Sequence, residues 1–322
     1  MPVSTAWERF LAVCGLGYLL ASVGALIDRA RFLPTGWIFD LLAHLTPFFV
    51  VGGVGLAVLI VLAKRWRLAA GFALLTFVHG LHYADVGDVA HPGDVPEQAP
   101  GVRLLSANIF ERDTALQNLA LQAQDLKADI VGIVEMTDAD CSVLNQMFGA
   151  EWFCLIVRTD ENGRPLTRVN ALISRWQPSS VNVHHDPSFG GRAILEVGFV
   201  IDGQPFNVIV LHPPAPGAPQ YTEQRNAVLR FAAGLSSELP NSVAMGDFNT
   251  TPWARIYREF EGQRAGDPRF HSTWLTRWPF LGLPIDHILI AEQLKVSDMR
   301  VLEAGGSDHL PIFAEVVLLV QE

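Results

Sequence analysis

Val243-Ala244-Met245-Gly246-Asp247-Phe248-Asn249 is a short apolar run that breaks at a glycine and then presents a carboxylate and an amide two positions apart. The pattern recurs along the chain. Val102 to Ala107 ends at Asn108, Ile130 to Val134 at Glu135, and Phe206 to Leu211 at His212. His287 to Ile290 is preceded by Asp286, and Ile312 to Leu319 follows Asp308-His309. Ala171 to Ser174 and Ile194 to Val200 are further strand-like runs, and Asp202-Gly203 joins the latter to Phe206 as a hairpin. Helical spacing marks Thr114 to Leu126, and Thr222 to Leu235 reads as a second helix. Strands outnumber helices and several are adjacent, which predicts an α+β sandwich with helices outside two sheets. One polar residue at a strand end is ordinary. Many of them, all acid, amide or imidazole, predict strand ends that converge on one site.

The N-terminal third reads differently. Phe10 to Ile27 and Leu41 to Ala63 are uncharged runs, the second with His44 as its one ionisable residue. Leu68 to Tyr83 is shorter, with His79 and His82 near its end. A bilayer core needs about 20 apolar residues as a helix. The spacing therefore predicts three transmembrane helices, about 10–27, 41–63 and 68–83, within an anchor over 1–84. No clear small-residue cleavage site follows the first run, as a signal peptide would require. Lys64-Arg65-Trp66-Arg67 is the strongest basic cluster, and no Lys or Arg occurs between it and Arg103. The positive-inside rule places that loop in the cytoplasm and everything after Asp85 outside, although Arg29 and Arg31 pull the other way. Asp40 and His44, one helical turn apart, read as the interfacial end of a helix. Residues 85–100, rich in proline and glycine, read as a linker to a second domain over 101–322.

Charge follows the same division. Residues 1–90 carry a net charge of +1 and residues 91–322 a net charge of −11. Three lysines in the whole chain, Lys64, Lys127 and Lys295, argue against avid binding of a phosphate backbone. Half of the residues are hydrophobic and 17% are charged, with a mean hydropathy of +0.26, which excludes a disordered chain. Three cysteines exclude a disulfide framework; Cys141 and Cys154 are either a pair outside the cytosol or buried thiols.

Asp247 and Asn249, two positions apart, can point at one small target. A hard cation such as Mg2+ takes oxygen ligands and shares the rest of its shell with water and phosphate. Asp308 stands beside His309, and Asp286 supplies a carboxylate that can orient such a histidine. This series resembles the endonuclease/exonuclease/phosphatase superfamily, the group of DNase I, abasic-site nucleases, inositol-polyphosphate phosphatases and bacterial sphingomyelinases. The resemblance runs from about Val102 to Val320, in the family's order, and is most specific at residues 246–249 and 307–311. It implies a four-layer α/β/β/α sandwich and a phosphoric ester hydrolase dependent on Mg2+, with Mn2+ as the alternative. It further implies that Asn108, Glu135 and Asp308 hold the metal, with Glu135 the main ligand. Asp247 would position or deprotonate the attacking water, and Asn249 would steer it. His309, partnered by Asp286, would stabilise the phosphate or protonate the leaving oxygen. His212 matches a second phosphate contact, and Arg192 and Asn170 are weaker matches as substrate contacts.

The sequence departs from the nuclease members. Ile109-Phe110 follows Asn108 where abasic-site nucleases carry an acid two positions on, and Met136-Thr137-Asp138 follows Glu135. A multi-pass protein of the cell membrane with its catalytic domain outside meets lipid headgroups and lipid-linked phosphates. A phospholipid or polyprenyl phosphate is thus the expected substrate, with the bilayer itself as partner. A nuclease acting on extracellular nucleic acid is the second reading, and a catalytically silent binding module the third. The run from His271 to Leu283 carries Trp274, Trp278 and Phe280 ahead of Asp286. It reads either as core packing or as an apolar loop that touches lipid, since Trp and Phe favour the membrane interface.

Overall fold

The computed structural model describes residues 5–30, 36–93, 95, 101–136, 141–160, 162–269 and 271–319. Arg31, Thr137, Asp138 and most of the expected linker after Gly93 lie outside the described residues. The chain divides into two compact units, Met1–Val86 with Pro252–Tyr257, and Gly87–Thr251 with Arg258–Glu322.

The first unit contains helices α1 (Thr5–Arg29), α2 (Trp37–Ala43), α3 (Thr46–Leu62) and α4 (Trp66–Ala84). The expected helix over 41–63 is broken at His44-Leu45, with a 69° bend between α2 and α3. Pro47 explains the break. It has no N–H to give to the Ala43 carbonyl, and its ring clashes with a continuing helix. The Thr46 hydroxyl donates to that carbonyl instead, at 2.8 Å. Among the described residues one helix, Trp7–Arg29, is long and apolar enough to cross a membrane; α2 with α3 qualifies only as a bent pair. α4, the third expected span, is a helix but does not meet that test. Residues 252–257 pack within this unit through Trp253, whose Nε1 donates to the Tyr83 carbonyl, and through Arg255 N, which donates to Asp28 Oδ2 at 3.0 Å.

The second unit is a two-sheet sandwich. Its strands are β1 (Val89–Ala90), β2 (Gly101–Asn108), β3 (Ile130–Met136), β4 (Phe153–Thr159), β5 (Pro165–Ser174), β6 (Ser180–His185) and β7 (Ala193–Ile201). They continue with β8 (Gln204–Val210), β9 (Ser242–Asp247), β10 (Gln263–Ala265), β11 (Asp286–Ile290), β12 (Leu294–Val301) and β13 (Ile312–Leu318). Its helices are α5 (Asp113–Asp125), α6 (Cys141–Phe148) and α7 (Pro219–Glu238). Among the described residues one sheet runs β1-β10-β11-β9-β8-β7-β6 and the other β12-β13-β2-β3-β5-β4. β2 with β3 and β8 with β9 are the parallel pairs at the two sheet centres.

Inward rows of both sheets, including Leu104, Val134, Val197, Val210, Met245 and Ile288, form the core between them. α5 and α6 cover the outer face of β2, β3 and β5 through Leu116, Leu119, Leu144 and Phe148. α7 packs outside the other sheet, where Ser236 and Ser242 bond through their hydroxyls at 3.0 Å. The expected layering is thus present. Val89 and Ala90, expected as linker, instead form an edge strand parallel to β10. Cys141 and Cys154 form a disulfide between α6 and β4, with Cα atoms 5.6 Å apart.

Candidate active site

Alternation along each strand builds the site. In β2, Val102 and Leu104 face the layer between the sheets, and Leu105 and Ala107 face the helices. Two-residue steps carry Asn108 to the inner side. The same steps lead from Val210 to His212, from Met245 to Asp247 and from Ile288 back to Asp286. Each residue caps an inward apolar row, and Asp286 lies across from Asp247 in the β11–β9 ladder. All four are buried.

Glu135 departs from that rule. Strict alternation would send it outward with Val131 and Ile133. The ladder skips here: Ile133 pairs with Ala171 and Met136 with Val169, so Val134 and Glu135 stand against Asn170 alone. The bulge puts Glu135 at φ 57°, in the left-handed region, and returns Met136 to the outer face. Glu135 Oε1 then lies 3.3 Å from His212 Nε2, which is 3.7 Å from Asp247 Oδ2. Phe110, Glu111 and Asn249 also have positive φ. Such backbone gathers where a site over-determines it.

Asp247 is the centre. Its Oδ2 accepts from Asn108 Nδ2 at 3.1 Å, and its Oδ1 accepts from Asn249 N at 2.8 Å. His309 Nε2 lies 3.8 Å from Asp247 Oδ2, while His309 Nδ1 meets Asp286 Oδ2 at 2.8 Å. Burial pushes the Asp247 carboxyl up to about 7; the Asp286 charge adds to the rise and His309 opposes it. Burial works against a charged His309, but the carboxylates of Asp286 and Asp247 outweigh it and push the ring up to about 10. The two carboxylates thus favour the charged ring, with Nδ1 held by Asp286 and Nε2 facing Asp247.

Asn249 Nδ2 donates to the Pro213 carbonyl at 3.0 Å, next to His212. Asn170 Nδ2 donates to the Ala193 carbonyl at 3.0 Å, beside the half-buried Arg192. The structure thus joins Asn108, Glu135, His212, Asp247, Asn249, Asp286 and His309. Asn170 stands across from the Glu135 bulge, and Arg192 directly precedes its partner Ala193 at the start of β7. Asp308 belongs to neither cluster of close ligand atoms among the described residues, although its Oδ1 is buried without a hydrogen-bond partner.

Three residues in this framework carry no role in the sequence reading. Ser307 Oγ donates to the Asn108 carbonyl at 2.7 Å and accepts from His309 N at 3.0 Å, tying β2 to the histidine loop. Thr273 Oγ1 accepts from both Ile285 N and Asp286 N. Arg225 Nη1 donates to the Asn249 carbonyl at 3.2 Å from within α7. Ser307 stands in a motif already singled out by sequence. Nothing distinguishes Arg225 from a solvated helix arginine until the fold is seen.

The residues fit a divalent cation. Glu135, His212 and Asp247 each offer a ligand atom within 4.8 Å of the other two; Asp247, Asp286 and His309 are grouped as closely, but a His309 charged through Asp286 has no lone pair for a metal. The buried, unsatisfied Asp308 Oδ1 is what a hard cation would take up. The expected metal set of Asn108, Glu135 and Asp308 overlaps the first cluster at Glu135 only.

A two-sheet sandwich with helices on both faces and acids, amides and histidines at its facing strand ends is a DNase I-like fold. The model of the Endonuclease/Exonuclease/phosphatase family matches residues 105–309, and the chain belongs to that family. No curated protein matches the sequence. Among solved structures, an endonuclease/exonuclease/phosphatase from Bacteroides vulgatus is 18% identical, with a TM-score of 0.56 over 68% of this chain and 100% of its own. A mannosyl-6-phosphatase of Bacteroides thetaiotaomicron is 18% identical, with a TM-score of 0.56 over 67% and 100%. A 3′ phosphatase from Neisseria, bound to product DNA hairpin, is 19% identical, with a TM-score of 0.52 over 66% and 98%. At these identities the likeness is one of fold.

Proposed function

We propose that the chain is a membrane-anchored, divalent-metal-dependent phosphoesterase that hydrolyses a lipid-linked phosphate outside the cytoplasm. The observation that carries the reaction class is the Asp247–His309–Asp286 chain facing Glu135 and His212 in one buried cluster. Family membership supports phosphate-ester hydrolysis. The apolar helix Trp7–Arg29 supports an anchor and the Cys141–Cys154 pair an extracytoplasmic domain, and the basic 64–67 loop agrees if α4 serves as a further span.

Glu135, Asn108 and Asp308 would hold the metal, with His212 and Asp247 beside it. A bound Mg2+ or Mn2+ supplies positive charge against a phosphate that repels its nucleophile. Asp247, whose carboxyl burial raises, is the group placed to accept a proton from water. His309 holds a proton on Nε2 for a phosphoryl or leaving oxygen, and Asp286 fixes the ring from behind. Asn249 and His212 orient water and phosphate, and Arg192 and Asn170 contact the substrate from the flank. The negative charge of residues 91–322 disfavours a nucleic-acid groove.

A hydrolysis panel on the purified full chain in detergent tests this. Plasmid DNA, a phosphatidyl substrate, a polyprenyl diphosphate and an inositol phosphate are compared with Mg2+, Mn2+ or chelator, against Asp247→Ala. Metal-dependent release from a lipid substrate, absent in Asp247→Ala, is expected. Nicked DNA beside untouched lipids would overturn the lipid assignment in favour of a nuclease.

A further inference from the structure

Arg277-Trp278-Pro279-Phe280-Leu281 is exposed throughout, with Trp278 at 49%, Phe280 at 72% and Leu281 at 45%. The Trp278 and Phe280 rings pack edge to face with centroids 5.9 Å apart, so the residues form one apolar knob. Part of its backbone is already paired. Trp278 N donates to the Leu275 carbonyl, Leu281 N to the Trp278 carbonyl and Gly282 N to the Pro279 carbonyl. Pro279 has no N–H at all. A turn closed in this way can leave water without orphaning those donors.

The root of the knob is the backbone of the site. Leu275 N and Thr276 N both donate to the Asp308 carbonyl at 3.2 Å, and Thr276 Oγ1 donates to the Ser307 carbonyl. Trp274 forms bridges to both His309 and Leu283. The knob thus stands on the loop that carries Asp308 and His309.

We infer that residues 277–281 dock in the interfacial layer of a bilayer of zwitterionic phospholipid, so that the site receives its phosphate from the bilayer surface. Only this last clause rests on the phosphoesterase reading. Trp and Phe favour that layer. The strong negative charge of residues 91–322 gives no pull toward an anionic surface, so insertion is apolar and insensitive to salt.

The test uses the full chain in phosphatidylcholine nanodiscs, with Cys14→Ser removing the free thiol. A fluorophore is placed at Phe280→Cys or, as control, at Val200→Cys. Val200 is exposed and pairs with Pro205 at the β7–β8 hairpin, the strand end away from His212. Acyl-chain spin-labelled lipid should quench the probe at 280 severalfold more than at 200, unchanged by about 0.5 M salt. No quenching at 280, or equal quenching at both, overturns the inference. In parallel, a Trp278→Ala/Phe280→Ala variant should lose about tenfold on a phospholipid in the disc and keep its rate on soluble bis-p-nitrophenyl phosphate. Equal losses on both overturn it. A wild-type chain inactive on every ester sinks the phosphoesterase reading alone, and quenching still decides the docking.

Discussion

Thr273 fixes the geometry between two charged partners without touching either side chain. It is fully buried, its hydroxyl accepts Ile285 N at 3.1 Å and Asp286 N at 3.0 Å, and its carbonyl accepts Leu310 N at 2.7 Å. Thr273→Val keeps the shape and orphans two buried donors. It should cost about 1–3 kcal/mol of stability and lower kcat with little change in KM, while Thr273→Ser restores both. Equal kinetics for the Val and Ser variants would deny the positioning role. His287 illustrates the opposite protonation state from His309. Arg264 Nε donates to its Nδ1 at 2.9 Å, so the proton sits on Nε2, which donates to the Thr250 carbonyl at 2.9 Å. Burial first, and the Arg264 charge second, hold its pKa well below 6.5. The unfolded chain takes up a proton here that the folded chain refuses. This contribution to stability is therefore present above the unfolded value and is lost as pH falls below it. The thermal midpoint should drop from about pH 7 to about pH 5, and drop less in His287→Gln. Parallel profiles for the two proteins would reject this account.

Strand ends place the site, and one glycine sets how closely two of them approach. Gly246 has φ 142°, and a Cβ there would lie 2.1 Å from the Leu211 carbonyl oxygen, a backbone atom with no room to move. Gly246→Ala should therefore destabilise the fold by about 3 kcal/mol or more, read as a lower thermal midpoint. A midpoint within a degree of wild type would contradict the close approach. The same two-residue step made most of this framework readable beforehand. Runs ending at Asn108, His212 and Asp247 are the observed strands to within a residue or two, because a buried row capped by a polar residue leaves a clear pattern. Glu135 was legible as a candidate, but not the bulge that turns it inward, since that depends on register with β5. β6, largely exposed, and the two-residue β1 were not legible, because an edge strand gains its pairing from distant residues and shows no apolar run of its own. The bend at Pro47 was visible as a proline, yet the uniform apolarity of 41–63 hid it.

Charge and cysteine placement bear on the molecule in its compartment. The near-neutral first third and the acidic remainder fit an anchor followed by a domain repelled from polyanions, and this asymmetry favours a lipid-linked ester over nucleic acid in the proposed function. The proposed orientation puts Lys64 to Arg67 in the cytoplasm and residues 101–322 outside. Disulfides persist outside the cytosol and are reduced within it, so the Cys141–Cys154 pair turns orientation into a count of thiols. Membranes from cells trapped with an alkylating reagent, then denatured without reductant, should yield one modifiable cysteine per chain, Cys14. Reductant should raise the count to three, the full complement. Three thiols before reduction would place the sandwich in a reducing compartment. With α4 as a third span the basic loop would then lie outside, against the positive-inside rule; without it, loop and sandwich would share the cytoplasmic side. Substrates would have to be sought among cytoplasmic phosphate esters, while the Asp247–His309–Asp286 chemistry would stand unchanged.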